Sequence, residues 1–368
     1  MDLEWLESLN DYVWSDAAKK FCADFCSDGA QQRFVFGRNI YTKSLIDTFD
    51  IDGVIDDFCL DEFYEGVPII RAEEIPSGAL VINAVGGRVL TAQKRLAELG
   101  VRNLDFFAFS VMANKPLPEI RFNEGFVADF LSHTSRYLEV YHALADAESK
   151  AVFQKVIQFR VTKDIQYLSG FKSREERQYF EDFLNLKPAG EVFVDVGGYD
   201  GFTTQEFIQR CPEYSAIYLF EPDAANMQKC RERLKSTQRI YFNQCGLSDF
   251  VGELRSDSAG SETKLGNAGC WVVEVKCLDS FSTEIPSFIK IDVEGSEKEV
   301  LLGARDVITK YHPRIAVAIY HCAGDFWKIP ALIQSFGVQY RIYIRHYTES
   351  IYETVMFFVP EASAQTLS

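Results

Sequence analysis

The stretch Glu191-Val192-Phe193-Val194-Asp195-Val196-Gly197-Gly198-Tyr199-Asp200-Gly201-Phe202-Thr203-Thr204 decides how this chain is read. Val192 to Val196 is apolar except for Asp195, the pattern of a buried strand with one acid at its carboxyl end. Gly197, Gly198 and Gly201 then form a turn, and a helix is predicted from about Thr203. Glycines let the backbone take positive φ and approach a ligand closely. A helix start adds unpaired N–H groups beside them. A dinucleotide-binding turn would need glycine at Val196 and usually has no acid inside the strand. Asp195-x-Gly197-x-x-x-Gly201 instead suits a ligand with an ammonium and a sulfonium, S-adenosylmethionine, whose methionyl amine Asp195 would hold directly or through water.

Outward from that turn, Ala216 to Phe220 reads as a second strand, ending at Glu221-Pro222. An acid there is placed for the ribose hydroxyls of the adenosyl group. A third strand, Ile240 to Gln244, leads into Cys245-Gly246-Leu247-Ser248-Asp249, a loop expected to approach the adenine. A strand pair around Gly252 to Arg255 and Trp271 to Cys277 follows. Phe288 to Ile291 is the next strand, with Asp292 and Glu294 in the turn after it and a helix from Lys298 to about Tyr311. Ile315 to Tyr320 would deliver His321 to the same edge. A final antiparallel pair, Tyr340 to Arg345 and Glu353 to Val359, would bring His346 and Tyr347 nearby. Ligands of a doubly wound sheet gather beyond the carboxyl ends of its strands, so Asp292, Glu294 and His321 are expected at one crevice.

From about Asp146 to Val359 these residues resemble the FkbM family of S-adenosylmethionine-dependent methyltransferases. The likeness rests on Val194 to Gly201, Phe220-Glu221-Pro222, Gly246 to Asp249, the block Ile289-Lys290-Ile291-Asp292-Val293-Glu294-Gly295-Ser296-Glu297, Tyr320-His321 and Arg345-His346-Tyr347. Gln178-Tyr179-Phe180 also looks like the segment that precedes the catalytic domain in members with an extra N-terminal domain. Gly198 departs from the family, which commonly has alanine there. The resemblance implies a class I methyltransferase doubly wound sheet with a C-terminal antiparallel strand pair, and O-methylation of a sugar, glycan precursor or other hydroxylated metabolite. It also puts His346, Gln178 and Tyr179 in the site.

Methyl transfer from a sulfonium is an in-line displacement, in which alignment and desolvation supply most of the rate. A hydroxyl acceptor gains from a base within hydrogen-bond reach. His321 is the first candidate, since imidazole titrates near neutral pH. Asp292 is the second, or the acid that orients the first, and it also borders the cofactor. Glu294 fits either a catalytic place or a carboxylate satisfied by backbone N–H groups. Two further alternatives stay open: Asp292, Glu294 and His321 as ligands of a divalent cation, and a non-catalytic ligand-binding or assembly protein on this fold.

Upstream, the first thirty residues read as helical. Strands and helices then alternate: Arg33 to Gly37, Gly53 to Asp56, Val67 to Ile70, Ala79 to Ile82 and Leu104 to Phe109 as strands, and Leu90 to Leu99 as a helix. That alternation implies a smaller Rossmann-like α/β domain over residues 1–122. Its first turn, Gly37-Arg38-Asn39-Ile40-Tyr41, has one glycine where a pyrophosphate cradle wants three, which counts against a nucleotide-sugar oxidoreductase. This domain is expected to position the acceptor or support a homodimer. A helical connector is expected over 123–188, with helices from Leu144 to Arg160 and Ser173 to Leu186, and the catalytic domain over 189–368.

The balance of 38 Lys+Arg against 54 Asp+Glu gives −16. Such a charge repels a phosphate backbone, so a small-molecule or saccharide acceptor is expected and nucleic acid is not. No apolar run has the length of a membrane span. The N-terminus, Met1-Asp2-Leu3-Glu4, lacks a signal-peptide pattern, so a cytoplasmic location is expected. The nine cysteines are scattered and odd in number, which reads as reduced packing residues rather than disulfides or metal ligands.

Overall fold

The computed structural model describes residues 4–29, 31–256, 265–266, 271–281 and 284–361. The chain divides into two compact units: Met1–Phe130, Val152–Ser173 and Tyr347–Tyr352 form the first, and Leu131–Ala151, Arg174–His346 and Glu353–Ser368 the second.

In the first unit, α1 (Glu4–Asn10) and α2 (Asp16–Cys26) precede β1 (Arg33–Phe36), α3 (Ile40–Thr48), β2 (Gly53–Ile55), β3 (Phe63–Tyr64), β4 (Val67–Ile70), β5 (Leu80–Asn83), α4 (Val89–Glu98), β6 (Arg102–Asp105) and α5 (Phe106–Met112). The sheet order is β3-β4-β2-β1-β5-β6, and all neighbours are parallel except β3 and β4. Strand alternation serves two cores: Val35, Leu80 and Ile82 pack on one face, Phe34 and Val81 on the other. The expected strand from Leu104 to Phe109 stops at Asp105. There the buried carboxylate accepts the Ala108 N–H at 2.9 Å and caps α5, so Phe106 to Phe109 continue as helix.

Two longer helices follow, α6 (Phe126–Ala143) and α7 (Ala147–Thr162), and each is divided between the units. The expected helix from Ser173 to Leu186 is absent. Two short 3-10 turns, Glu175–Arg177 and Asp182–Leu184, stand in its place. Tyr179 (φ 71°) and Asn185 (φ 48°) are left-handed, which no continuous α-helix tolerates.

The second unit is built on β7 (Val192–Val196), α8 (Phe202–Arg210), β8 (Ala216–Phe220), α9 (Ala224–Arg233), β9 (Ile240–Asn243), β10 (Gly246–Leu247), β11 (Gly252–Ser256), β12 (Leu265–Gly266), β13 (Trp271–Lys276), β14 (Phe288–Ile291), α10 (Glu297–Leu302), α11 (Arg305–Tyr311), β15 (Arg314–Ala318), α12 (Asp325–Ser335), β16 (Tyr340–His346) and β17 (Thr354–Pro360). Seven strands form one sheet in the order β16-β17-β15-β14-β7-β8-β9. They are parallel from β15 to β9, while β17 runs antiparallel to both its neighbours. A side sheet has the order β10-β13-β11-β12. This is the mixed α/β architecture the sequence implied.

The helix expected from Lys298 to Tyr311 is broken into α10 and α11 at Gly303. A Cβ at Gly303 would fall 1.9 Å from the Ser248 carbonyl oxygen. Asp279 accepts the Asp306 and Val307 N–H groups at 3.0 and 2.9 Å, which starts α11 separately. The described cysteines carry free thiols, and Cys270 lies outside the described residues. Among the described residues no helix is long and apolar enough to cross a membrane.

Candidate active site

At the carboxyl ends of β7, β8 and β14 lies a cavity of about 300 Å³. One end is the glycine turn. Gly197 (φ 83°) and Gly198 each donate their N–H to the Phe220 carbonyl, at 2.9 and 3.0 Å. A Cβ on Gly197 would lie 1.8 Å from the Asp292 carbonyl oxygen, so only glycine fits. At Gly198 the crowding atom is Leu219 Cδ2, 2.6 Å from where a methyl would be; Leu219 fills the space an alanine would need. Glu221, at the end of β8, is buried and accepts the Tyr199 and Asp223 N–H groups at 2.8 and 2.9 Å. Burial pushes its carboxyl up to about 7, against the pull of those N–H groups and of Lys290. Gly246 and Leu247 of β10 complete this end.

Asp195 is fully buried and does not reach the cavity lining. Thr204 Oγ1 donates to its Oδ2 at 2.7 Å, and Lys290 Nζ stands 3.2 Å from its Oδ1. Lys290, from the centre of β14, also donates to the Gly197 and Val196 carbonyls at 2.5 and 3.3 Å. Burial alone would lower the Lys290 pKa, but Asp195, Asp292 and Glu221 outweigh it and hold the ammonium charged. The acid expected to touch the ligand amine pairs instead with Lys290, and it is Lys290 that lines the cavity.

The other end is walled by Gln178, Tyr179, Asp292, Glu294, Tyr320 and Glu353. The left-handed backbone at Tyr179 turns its phenol inward, where it donates to Asp292 Oδ2 at 2.6 Å. Gln178 Nε2 donates to the Tyr179 oxygen at 2.9 Å and also to Glu353. Tyr320 donates to Glu353 Oε1 at 3.3 Å. Burial, then the neighbouring carboxylates Asp292 and Glu353, push both phenols well above the usual tyrosine range. They serve as donors, not as bases. Burial and the Asp292 charge raise the Glu353 carboxyl to about 7, opposed by Gln178, His321 and Tyr320.

His321 lies behind this wall with no exposed side-chain surface. Its Nδ1 is 2.8 Å from Glu297 Oε1, and its Nε2 is 3.5 Å from Asp292 Oδ1 and 3.8 Å from Glu294 Oε1. Burial by itself would depress the imidazole pKa; the three carboxylates reverse this and raise it to about 9. That direction favours the protonated ring at neutral pH, as a buried counter-ion to the carboxylates around it. Glu297 also accepts the Val293 and Gly295 N–H groups at 3.0 and 3.3 Å, fixing the turn that carries Asp292 and Glu294. Asp292, Glu297 and His321 offer ligand atoms within 4.8 Å of one another. That donor set, two carboxylates and an imidazole, has divalent-cation chemistry.

Of the residues expected from sequence, Gly197, Gly198, Tyr199, Glu221, Pro222, Gly246, Leu247, Asp292, Glu294, Gln178 and Tyr179 line one cavity. Asp195, Gly201, Ser248, His321 and His346 do not. Gly201 (φ 83°) starts α8, its would-be Cβ 3.2 Å from the Cys230 Cα. Ser248 is buried and its N–H bonds the Lys276 carbonyl. His346 is buried at the end of β16, with Nδ1 2.9 Å from Thr354 Oγ1. Its neighbour Arg345 pairs with Asp146 at 2.8 Å, a structural contact. Lys290, Tyr320 and Glu353 were given no role from sequence. Lys290 and Tyr320 sit inside quoted motifs, whereas Glu353 has no motif around it.

Residues 195–351 match the family profile of the methyltransferase FkbM domain. The 2-O-methyltransferase NoeI of Sinorhizobium fredii (strain NBRC 101917 / NGR234) is 26% identical over 151 residues, 34% of this chain and 62% of that protein. The chain therefore spans less than two thirds of that relative's length. Methyltransferase 1 of Beauveria bassiana (strain ARSEF 2860) is 26% identical over 182 residues, 41% of this chain and 73% of that protein. A crystal structure of methyltransferase FkbM from Methylobacillus flagellatus KT is 21% identical and superposes with a TM-score of 0.76, covering 96% of this chain and 98% of that one. At that identity the likeness is one of fold. The glycine turn, Glu221 and Asp292 all fall inside the segment, residues 195–351, that matches the methyltransferase FkbM domain profile.

Proposed function

We propose that this chain transfers a methyl group from S-adenosylmethionine to a hydroxyl of a sugar, glycan precursor or other hydroxylated metabolite. One observation carries the reading: a single cavity runs from the Gly197–Tyr199 turn and buried Glu221 to the donor-and-carboxylate wall of Asp292, Tyr179 and Glu353. Gly197 and Gly198, where a Cβ has no room, leave bare backbone for the amino-acid end of such a ligand, and Lys290 is fixed beneath it. Glu221 suits a ribose diol and the Gly246–Leu247 backbone an adenine. When bound, S-adenosylmethionine supplies an electrophilic methyl group on a sulfonium. Asp292, oriented by the Tyr179 phenol at 2.6 Å, would hold the acceptor hydroxyl in line, and His321 and Glu297 would keep Asp292 in place.

The acceptor class is supported by the wall itself. Carboxylates, phenols and an amide suit a neutral hydroxylated molecule better than an anion. The printed name of the Sinorhizobium fredii relative, a 2-O-methyltransferase, points the same way. The first unit, with its glycine-poor β1 turn, is read as positioning the acceptor or supporting a homodimer, without chemistry of its own.

Titration calorimetry tests the cofactor: S-adenosylhomocysteine should bind at micromolar concentrations and NAD should not. Binding of NAD alone would sink the reading. Methyl uptake from labelled S-adenosylmethionine, screened over glycosides and oligosaccharides, then tests the acceptor class.

A further inference from the structure

The cavity wall holds one carboxylate that no motif marks. Glu353, the residue before β17, has a φ of 62°, a left-handed conformation that a side-chain-bearing residue seldom holds. Its two oxygens accept from two neutral donors, Tyr320 OH at 3.3 Å and Gln178 Nε2. Asp292 faces it through the relay of Gln178 and Tyr179, and is held differently: by a phenol at 2.6 Å and by the His321 imidazolium at 3.5 Å. Asp292, Glu294 and Glu353 share this end of the cavity and resist being charged together; His321 Nε2 stands 3.5 Å from Asp292 and 3.8 Å from Glu294, and the carboxylate without a cation at such range takes the proton more readily. That one is Glu353. A group that titrates near the working pH makes the most effective proton acceptor.

We propose that Glu353 is the general base, taking the proton of the acceptor hydroxyl from its place on the cavity wall while Asp292 orients that hydroxyl. The inference rests on the methyl-transfer reading above. The O–H bond of the acceptor breaks to the Glu353 carboxylate as its oxygen bonds the methyl carbon. The C–S pair returns to sulfur, leaving a neutral thioether, and the proton then passes to solvent. The titratable groups that act on Glu353 are Asp292, His321, Tyr320 and Tyr179, and Glu294, Lys290 and Glu221 line the same cavity. Of these, Asp292 and the two phenols lie in its hydrogen-bonded relay.

The test needs no acceptor. S-adenosylmethionine carries a sulfonium charge and S-adenosylhomocysteine does not. With the Glu353 carboxyl beside the transferring methyl group, that charge should expel its proton. Calorimetric titrations of the full chain at pH 7, in phosphate and in Tris, should show about half a proton more released for S-adenosylmethionine than for its demethylated product. Glu353→Gln should abolish the difference while S-adenosylhomocysteine still binds. Tyr320→Phe, which keeps the carboxyl but removes one donor, should move the pH of the largest difference upward. Equal proton release by the two ligands in the unmodified protein, or a difference that survives Glu353→Gln, overturns the assignment of the base alone. Failure of both ligands to bind the unmodified protein removes the methyl-transfer reading and this inference with it.

Discussion

Gly197 and the carbonyl of Asp292 meet so closely that a Cβ at position 197 would fall 1.8 Å from that oxygen. The glycine turn, proposed to receive the cofactor, and the turn that carries Asp292, proposed to face the acceptor, are therefore in backbone contact. Their spacing is set by the β7–β14 pairing, which also joins Asp292 N to the Val196 carbonyl at 3.0 Å.

Gly197→Ala should then be costly. It adds a methyl group against backbone at a positive φ, and a loss of about 2–4 kcal/mol is expected from overpacking and strain together. Urea unfolding measures the loss. Binding of S-adenosylhomocysteine should disappear in parallel.

Asp195 and Glu221 should separate under mutation. Asp195→Asn leaves the Lys290 ammonium buried without its ion partner, so stability should fall by about 3–5 kcal/mol. Glu221→Gln removes a carboxylate that faces the cavity. The fold should survive, and S-adenosylhomocysteine affinity should drop by about 1–3 kcal/mol. Equal losses of stability in the two variants would contradict this division of labour.

The buried imidazolium makes a pH prediction. The His321 pKa is raised to about 9 from an ordinary 6.5, so the folded protein keeps a proton that the unfolded chain releases. The resulting stability is complete below about pH 6.5 and is lost as pH rises toward 9, on the order of 3 kcal/mol. Denaturant midpoints measured from pH 6 to 9.5 should fall, and His321→Gln should flatten that slope.

Tyr179→Phe deletes the donor to Asp292 without touching the glycine turn. Once a glycoside acceptor is in hand, turnover should fall by about 10- to 100-fold, the kinetic equivalent of one charge-assisted hydrogen bond. S-adenosylhomocysteine affinity should change little.

The sheet of the second unit was legible because each strand is an apolar run closed by a glycine or an acid, as in Val192 to Gly197 and Phe288 to Asp292. The glycine turn and Glu221 were legible for the same reason: their chemistry sits at strand ends. What the sequence did not show depended on partners distant in sequence. Asp195 reads as a ligand contact until Lys290 is seen against it, and His321 reads as a base until Glu297, Asp292 and Glu294 surround it. The segment around Tyr179 has helical spacing, but tertiary packing of its ring overrode that preference. Glu353 belongs to the cavity only because β17 returns antiparallel beside β15, a pairing no local pattern specifies.

Lys290 fastens the start of the glycine turn to the end of β7 through the Gly197 and Val196 carbonyls, at 2.5 and 3.3 Å. The backbone at that end has thus given up its conformational entropy during folding, and the proposed cofactor would meet a surface already set there. The opposite wall is made of side-chain ends, from Gln178, Tyr320 and Glu353, each with rotatable bonds behind it. One end of the cavity is a mould and the other is a set of fingers. Affinity should accordingly be strict about the nucleoside and tolerant of the partner it is brought against.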